Sequence, residues 1–354
     1  MPRRFRLLLF TSIVLALLSG LWFAVGSTGF LSLSHVVPVA ADWDHDGHLD
    51  LLVSTREGGV FVLHSDDGLE TPKFAFVSPL EYTESGAEKP IIHYWEWTAP
   101  CIDAADWNGD GLTDLLIADS SGTIAYYQRR REPDGGLVLD PPATLRFSDG
   151  TPLGYPICSE HRQKMALRVA DWNLDGKNDL ALGENECYYL ENHGTATSPE
   201  FIRPADWTSA NWCVESGVFE EYELFGLSGD YAMPNVADWD NDGRLDVICG
   251  IAWRWAFPVS DVTVGFIIYR RNEGTNASPL FPDESLDPPS IMLLRSDPHR
   301  DFIRQGEYSA PYVYDVDSNG WVDLLVGGDG PLRLYMRNER KELELVWERA
   351  EISY

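Results

Sequence analysis

Five short stretches of the chain carry the residues best suited to chemistry. They are DWDHDGHLD at 42–50, DWNGDGLTD at 106–114, DWNLDGKND at 171–179, DWDNDGRLD at 238–246 and DVDSNGWVD at 315–323. Each has Asp at positions 1 and 9, Asp or Asn at positions 3 and 5, and Gly at position 6. Side-chain oxygens that converge in a tight turn suit calcium, which takes about six to eight oxygen ligands. The spacing therefore predicts coordination of a hard divalent cation.

An EF-hand is the first alternative, and the residues that follow each loop argue against it. An EF-hand needs a bidentate Glu at position 12 and a helix on each side. The residues that follow, such as DLLVST and DLLIAD, are instead short apolar runs typical of buried strands. Position 12 is occupied by Val53, Ile117, Leu182, Cys249 and Val326.

The loops recur at intervals of 64 to 77 residues, which indicates a repeat architecture. A Gly-led strand follows in several units, as in GGVFVLH, GTIAYYQ and GPLRLYM, and a turn with a terminal strand comes next, as in NEGTNASPLFP. Each unit thus has about four short strands and no convincing long helix. The sequence predicts an all-β fold, a β-propeller of five four-stranded blades of about 65 residues, each with one acidic loop.

The loop and its apolar strand resemble the FG-GAP/VCBS repeat, which occurs in integrin α-subunit heads and in many secreted proteins. The resemblance covers about residues 36–350. It implies a single propeller domain over 28–354 and up to five structural calcium ions, with position 7 contributing a backbone carbonyl and position 9 closing the shell. The implied ligands are Asp42, Asp44, Asp46, His48, Asp50, Asp106, Asn108, Asp110, Leu112, Asp114, Asp171, Asn173, Asp175, Lys177, Asp179, Asp238, Asp240, Asp242, Arg244, Asp246, Asp315, Asp317, Asn319, Trp321 and Asp323.

A second interpretation of the loops needs no metal. Asp and Asn side chains can cap backbone N–H groups in turns, and Gly supports the reversal. If calcium does bind, a full oxygen shell leaves no open position for a substrate, so the ion is expected to stabilise the fold and not to catalyse. The fifth loop, with Asn319 at position 5, is expected to be the weakest site.

The N-terminal segment 1–27 reads as a signal peptide or a signal anchor. Three Arg residues precede an apolar run over residues 7–25, and small residues before Ser27 suit cleavage. The run is also long enough to span a bilayer, so membrane anchoring through it stays open. Either alternative predicts a protein that is secreted or membrane-anchored, facing the extracellular or luminal side.

The net charge of −29 excludes a nucleic-acid partner, because such partners require a basic surface. The five loops hold 17 of the 56 acidic residues, so part of the excess belongs to the predicted metal sites. The five Cys residues fit an oxidising compartment. Cys187 and Cys213 are the preferred disulfide pair, and Cys249 is expected to lie in the core.

A ligand site is expected where the innermost strands of the blades meet. Three residues before each loop stand Val39, Asp103, Arg168, Asn235 and Tyr312. The acid–aromatic pairs Glu96-Trp97, Asp230-Tyr231 and Glu307-Tyr308 suit sugar recognition or, alternatively, packing between blades. The Trp at loop position 2 (Trp43, Trp107, Trp172 and Trp239) is expected to pack between blades.

No catalytic motif such as GxSxG or HExxH is readable in the sequence. The hypothesis is therefore a non-enzymatic recognition module for a glycan or protein ligand. One alternative is a carbohydrate-active enzyme, a polysaccharide lyase or hydrolase, for which SEHRQK at 159–164 is the candidate cluster. Another alternative is a membrane-anchored adhesion head.

Overall fold

The structure is a computed structural model that describes residues 30–70, 74–93, 99–118, 122–154, 165–183, 187–203, 211–214, 227–257, 260–281, 291–294, 303–338 and 341–353. Every regular element in these ranges is a β-strand, so the predicted all-β class is confirmed. Within them, no helix is long and apolar enough to cross a membrane. The predicted signal or anchor segment, residues 1–27, lies outside the described residues.

Twenty-seven strands are present in the described ranges. They are β1 (Phe30–Ser32), β2 (Val36–Ala41), β3 (Asp50–Thr55), β4 (Val60–Ser65), β5 (Phe74–Pro79), β6 (Glu81–Glu84), β7 (Ala87–Pro90), β8 (Cys101–Ala105), β9 (Asp114–Ala118), β10 (Ile124–Tyr127), β11 (Arg129–Arg131), β12 (Leu137–Leu139), β13 (Ala143–Thr144), β14 (Ala166–Ala170), β15 (Asp179–Gly183), β16 (Cys187–Leu190), β17 (Asn211–Val214), β18 (Leu227–Ala237), β19 (Asp246–Phe257), β20 (Ser260–Arg270), β21 (Ile291–Leu293), β22 (Arg304–Gln305), β23 (Ser309–Tyr314), β24 (Asp323–Gly328), β25 (Leu332–Arg337), β26 (Leu343–Arg349) and β27 (Glu351–Ser353).

The chain forms two compact units, of which the larger spans residues 32–351. The smaller contains residues 1–31 and 352–354. The described residues of the smaller unit belong to the two-stranded pair of β1 and β27. The 28–354 domain boundary stays a prediction. All further description concerns the larger unit.

The larger unit is built from antiparallel runs of four strands, and each acidic loop joins the first strand of a run to the second. Three runs form separate sheets, in the orders β8-β9-β10-β13, β14-β15-β16-β17 and β18-β19-β20-β21. The other two, β2 to β5 and β23 to β26, share one eight-stranded sheet because β2 also pairs with β24 at Val36–Gly328. No sheet closes on itself within the described residues.

The first strands of the five runs are neighbours in space. β2 contacts β8, β8 contacts β14, β14 contacts β18, β18 contacts β23, and β23 contacts β2. These are the strands predicted to be innermost. Four of them, β2, β8, β14 and β23, are five or six residues long and mostly buried, as expected for strands with neighbours on both faces, whereas β18 has 11 residues.

One sheet of the larger unit has no counterpart in the sequence prediction. The hairpin of β6 and β7 pairs through β6 with the hairpin of β11 and β12, in the order β11-β12-β6-β7. The contact between β6 and β12 is parallel, at Tyr82–Leu139. All four residues of β7 are exposed, whereas Arg129 on β11 and Leu139 on β12 are buried, so this sheet lies outside the repeated unit and presents its β7 edge to solvent.

The core consists of the apolar strands that follow the acidic loops. All described residues of β3, β9, β15 and β24 are buried, from end to end. Burial on both faces explains why these strands read as continuous apolar runs and not as alternating ones. Cys249, predicted to be a core residue, is fully buried in β19.

Candidate metal-binding loops

The acidic loops share one backbone conformation. Gly at position 6 has a φ of 83° to 93° in all five copies, a region that favours glycine. No atom lies within 4 Å of a Cβ added there, so the backbone angle and not the available space requires glycine. Position 4 also has a positive φ in every loop, which the sequence pattern did not reveal: His45, Gly109, Leu174, Asn241 and Ser318.

Hydrogen bonds from the loop backbone fix the side chains at positions 1, 3 and 5. In the second loop, Asp106 accepts hydrogen bonds from the N–H groups of Asp110 and Gly111 at 3.0 and 2.9 Å. Asp110 in turn accepts one from the N–H of Leu112 at 2.9 Å. The other four loops repeat these three bonds. The capping predicted by the metal-free interpretation is therefore present. Each carboxylate keeps further lone pairs for a cation.

The Asp at position 9 is buried and links the loop to the hairpin behind it. In the second loop, Asp114 Oδ2 accepts from the N–H of Trp107 at 3.2 Å, and Oδ1 accepts from the N–H of Arg129 at 2.6 Å. The hydroxyl of Tyr126 adds a bond to Oδ2 at 3.0 Å. Burial raises the pKa of Asp114 to about 6 despite these bonds. A nearby cation would favour the ionised form.

The same hydrogen-bond pair recurs at position 9 of every loop. Burial likewise raises the pKa of Asp246 and Asp323 to about 6 and raises the pKa of Asp50 and Asp179. A Tyr hydroxyl reaches this Asp in the third and fourth loops as well, from Tyr189 and Tyr269. Position 9 thus brings a desolvated carboxylate to each loop.

Four groups of side chains in the described residues have ligand atoms within 4.8 Å of one another. Three are loop groups: one from positions 1, 3 and 5 of the first loop, and two from positions 1, 3 and 9 of the fourth and fifth loops. The groups are Asp42, Asp44 and Asp46; Asp238, Asp240 and Asp246; Asp315, Asp317 and Asp323; and Asp44, Asp50 and His64. The donors of the three loop groups are all oxygens, which fits calcium.

Positively charged side chains already contact two of the loops. In the third loop, Lys177 Nζ lies 2.7 Å from Asp175 Oδ2, and this bond lowers the pKa of Asp175. In the fourth, Arg244 pairs with Asp242, and Arg271 lies 2.8 Å from Asp240 and 2.7 Å from Asp242. Position 7, expected to contribute only its backbone carbonyl, therefore carries a cationic side chain that pairs with the position-5 carboxylate in these two copies.

The Trp at loop position 2 connects each of the first four runs to the next. Trp107 stacks on Phe201 with ring centroids 5.9 Å apart, and Trp172 meets Phe281 edge-on at 6.1 Å. Trp43 and Trp239 are instead covered by guanidinium groups, of Arg129 at 4.1 Å and of Arg337 at 4.5 Å. All four indoles are buried, and their predicted packing role is confirmed.

The residues three positions before the loops converge where the first strands meet. The guanidinium of the buried Arg168 donates to the carbonyls of Ile102 and Pro311 at 2.6 and 3.1 Å, and to Asn235 Oδ1 at 3.0 Å. It also lies 4.9 Å from the ring of Tyr312. One side chain of β14 therefore bonds to β8, β18 and β23.

Asp103, Asn235 and Tyr312 complete this arrangement, and with Arg168 they form what we call the central cluster. Asp103 accepts from the N–H of Val169 at 2.6 Å and lies 4.0 Å from Arg168. Asn235 Nδ2 donates to the carbonyl of Pro311 at 2.8 Å, and the Tyr312 hydroxyl donates to Ala40 on β2 at 3.2 Å. The cluster thus joins all five first strands and fills the space between them.

The other residues considered for a ligand site differ in burial, and some of them lie outside the described residues. Tyr308 is buried in the core, as the packing alternative predicts, while Glu307 is exposed. Glu96-Trp97 and SEHRQK at 159–164 lie outside the described residues, as do the side chains of Asp230-Tyr231. The Cys187–Cys213 pairing stays a prediction, because the described residues do not include the Cys213 side chain. The thiol that lies near Cys187 in the described residues is that of Cys249, with the two Sγ atoms 3.5 Å apart.

Comparison with known protein families identifies the repeat. The FG-GAP-like repeat matches the chain twice, over residues 42–117 and 106–182. These matches contain the first three acidic loops and the strands that follow them. The chain therefore carries FG-GAP-like repeats, and the resemblance predicted from the loops is confirmed. No curated protein sequence matches the chain.

Proposed function

We propose that the protein is a five-bladed β-propeller that serves as a recognition module for a glycan or protein ligand, with calcium in a structural role. The observation that carries the proposal is the ring of contacts among β2, β8, β14, β18 and β23. Each of these strands begins one run of four, and each run has the loop of an FG-GAP-like repeat. A ring of five such runs is the arrangement of a propeller with five blades.

Structural calcium is supported by the loop chemistry. Three carboxylates lie within 4.8 Å of one another in the first, fourth and fifth loops, position 9 is a buried Asp in all five, and the protein has a net charge of −29. A divalent cation would relieve the repulsion among these groups and satisfy their remaining lone pairs. Hydrogen bonds from Asn178 to the Asp106 carbonyl and from Asn241 to the Gly320 carbonyl join neighbouring loops, so the ions would lie on one face.

The central cluster favours recognition over catalysis. A catalytic group must touch the substrate, but the donors of Arg168 are bound to carbonyls and to Asn235. Both Arg168 and Asp103 are buried. With the centre filled by protein, a ligand is expected to bind on a face of the propeller and not in a channel.

Our candidate for the binding site of that ligand is a polar cleft. It lies at the end of β23 that is opposite the fifth loop. It has a volume of about 470 Å³, within the usual range of ligand sites. Arg304, Gln305, Glu307, Asp329 and Arg333 line it. Donors and acceptors close together suit the hydroxyl groups of a sugar. The typical extracellular occurrence of FG-GAP repeats supports a secreted or membrane-anchored location, where such ligands are found.

A polysaccharide panel tests the proposal. The protein is passed over immobilised polysaccharides in calcium and in EGTA, and both retention and the chain length of the recovered polysaccharide are measured. We expect retention on at least one polysaccharide in calcium, loss of retention in EGTA, and no shortening of the chains. Shortened chains would support the carbohydrate-active enzyme, and absence of retention would move the proposal to a protein ligand.

Two double variants locate the binding surface. Arg304→Ala with Glu307→Ala removes two exposed charges from the cleft. Arg131→Ala with Asp134→Ala removes the same charges from exposed positions on the hairpin of β11 and β12. We expect loss of retention only for the first pair. Equal retention by both would show that the cleft is not the binding site.

A further inference from the structure

One position outside the acidic loop recurs in all five runs, and its residue type differs from one run to the next. In each run, a residue of the hairpin behind the loop donates its backbone N–H to Oδ1 of the position-9 Asp. The position meant here is that of the residue directly before this donor in the chain. We call this the flanking position. It is occupied by His64, Gln128, Glu191, Arg271 and Met336.

The flanking side chain reaches loop position 3 in three of the five runs. Glu191 accepts a hydrogen bond from Asn173 Nδ2 at 3.3 Å. Arg271 lies 2.8 Å from Asp240. In the first loop, His64 Nδ1 lies 3.4 Å from Asp44 Oδ2. This position therefore adds an acidic, a cationic or a nitrogen group to an otherwise similar loop.

The imidazole of His64 is held with one nitrogen directed at the first loop. Its Nδ1 atom is 3.7 Å from Asp50 Oδ2 as well as 3.4 Å from Asp44, and it has no solvent-exposed surface. The whole residue is 9% exposed. The other ring nitrogen, Nε2, lies 3.3 Å from Ser78 Oγ on β5. A hydrogen bond on the far nitrogen orients the ring, as it does for histidines that bind metals.

We propose that Asp44, Asp50 and His64 form a mixed nitrogen–oxygen site for a transition-series divalent cation of the Zn²⁺ class, which would occupy the first loop in place of calcium, while calcium remains the proposed ion of the other loops. Zinc binds imidazole nitrogen and carboxylate oxygen at about 2.0–2.2 Å, so neighbouring ligands of a tetrahedral ion lie roughly 3.3–3.6 Å apart. The distances from Nδ1 to the two oxygens, 3.4 and 3.7 Å, are close to that separation. The three ligand atoms all lie within 4.8 Å of one another.

The chemistry of the donors distinguishes this site from the other loops. Calcium takes oxygen ligands, whereas imidazole suits zinc and similar ions. In the fourth loop the flanking residue is Arg271, which already supplies positive charge to the carboxylates. The first loop therefore differs from the others in donor type, and its metal preference does not depend on which ligand the propeller recognises.

Metal titration of the full chain tests this inference. The protein is saturated with calcium, dialysed against Zn²⁺, and its bound zinc is measured by elemental analysis; Co²⁺ provides a visible absorption spectrum for the same site. We expect one zinc ion per chain that millimolar calcium does not displace. The variant His64→Gln, which has the residue type of Gln128, should weaken zinc binding roughly 10-fold or more.

An exposed histidine of the same loop provides the control. The variant His45→Asn, which has the residue type of Asn241, leaves the flanking position intact and should keep zinc binding unchanged. Ser78→Ala, which removes the hydroxyl beside the far ring nitrogen, should weaken binding less than His64→Gln and tests the site if the latter variant misfolds. Equal zinc binding by wild type, His64→Gln and Ser78→Ala, or displacement of the zinc by calcium, would overturn the proposal.

Discussion

The acidic loops and the central cluster both concentrate charged side chains, but they neutralise them differently. In the central cluster, the charge of Asp103 faces the guanidinium of Arg168, which is itself bound to three strands. In the loops, the carboxylates at positions 1, 3 and 5 are largely bound to N–H groups of their own turn, and position 5 is exposed in all five. The central cluster contains its own cation, the Arg168 guanidinium. The acidic loops instead have carboxylate lone pairs that a cation from solution could use.

The two regions are therefore expected to contribute to the stability of the fold in different ways. The central cluster holds the first strands together with charges that belong to the chain, and losing one partner of its ion pair would leave an uncompensated charge. Under the proposed function, a loop that binds a cation from solution makes part of the stability depend on that cation. The fourth loop lies between these extremes, since Arg244 and Arg271 supply positive charge from the chain itself.

Removal of calcium should have the largest effect, because it acts on several loops together. A metal that binds only the folded protein stabilises it by about 2.7 kcal/mol for each site at a concentration of 100 Kd. Thermal melts in calcium and in EGTA should therefore differ by many degrees, and added calcium should restore the higher melting temperature. Equal melting temperatures would mean that the loops are capped turns that need no metal.

The variant Arg168→Met tests the central cluster. It leaves Asp103 without its counter-charge and removes the guanidinium donor of the Ile102 carbonyl, while the Pro311 carbonyl keeps its bond from Asn235. We expect a loss of about 3–5 kcal/mol in the free energy of unfolding. Urea unfolding should give the same loss in calcium and in EGTA. Arg131→Met, at an exposed position, is the control and should change stability little. A loss that disappeared in EGTA would contradict the division between the two regions.

The buried carboxyls at position 9 should make the calcium-free protein more stable at pH 5 than at pH 7. Their folded-state pKa of about 6 exceeds the unfolded value of about 3.9. Between these pH values the folded state holds protons that the unfolded state has released, so stability falls as pH rises. The expected size is on the order of 1 kcal/mol for each carboxyl, reduced because the loop side faces solvent.

Urea unfolding of protein stripped of metal on a chelating resin would measure this pH dependence. Asp323→Asn should reduce it by up to about a third, because Asp114 and Asp246 contribute similarly and the raised pKa values of Asp50 and Asp179 add to the total. Asp149→Asn, at an exposed carboxyl whose pKa is lowered by hydrogen bonds from Thr151, should not reduce it. Stability that rose steadily from pH 5 to pH 7 would show that these carboxyls are ionised without metal.

The smallest effect is expected at position 4 of the third loop. Leu174 is 59% exposed and has a φ of 57°, which is unfavourable for leucine and better tolerated by asparagine. Leu174→Asn, which has the residue type of Asn241, should therefore stabilise the protein by up to roughly 1 kcal/mol. Leu280→Asn, at a leucine that is 58% exposed without a positive φ, should give no such gain in the same melts.

The sequence predicted the features that repeat. A residue type that recurs at the same position of each unit indicates a structural requirement that the units share. The loops, the buried strands that follow them, the Trp contacts and the meeting of Asp103 with Arg168 and Asn235 all depend on positions fixed within each unit. Most of the features that were missed differ between units. The positive φ at loop position 4 is the exception, and it was hidden because a different residue type occupies that position in each loop. The contact of His64 with Asp44 and the sheet of β6, β7, β11 and β12 join segments whose pairing only the folded chain reveals.

The pairing of Val36 with Gly328 has a consequence for how the protein is made. β2 leaves the ribosome early, whereas β24 is synthesised only after nearly all the other strands. The indole N–H of Trp347 on β26, which bonds to the Leu69 carbonyl, arrives later still. Until β24 emerges, the Val36 end of β2 therefore lacks the backbone partner that it has in the folded protein. We expect the nascent chain to be most open to aggregation during this interval.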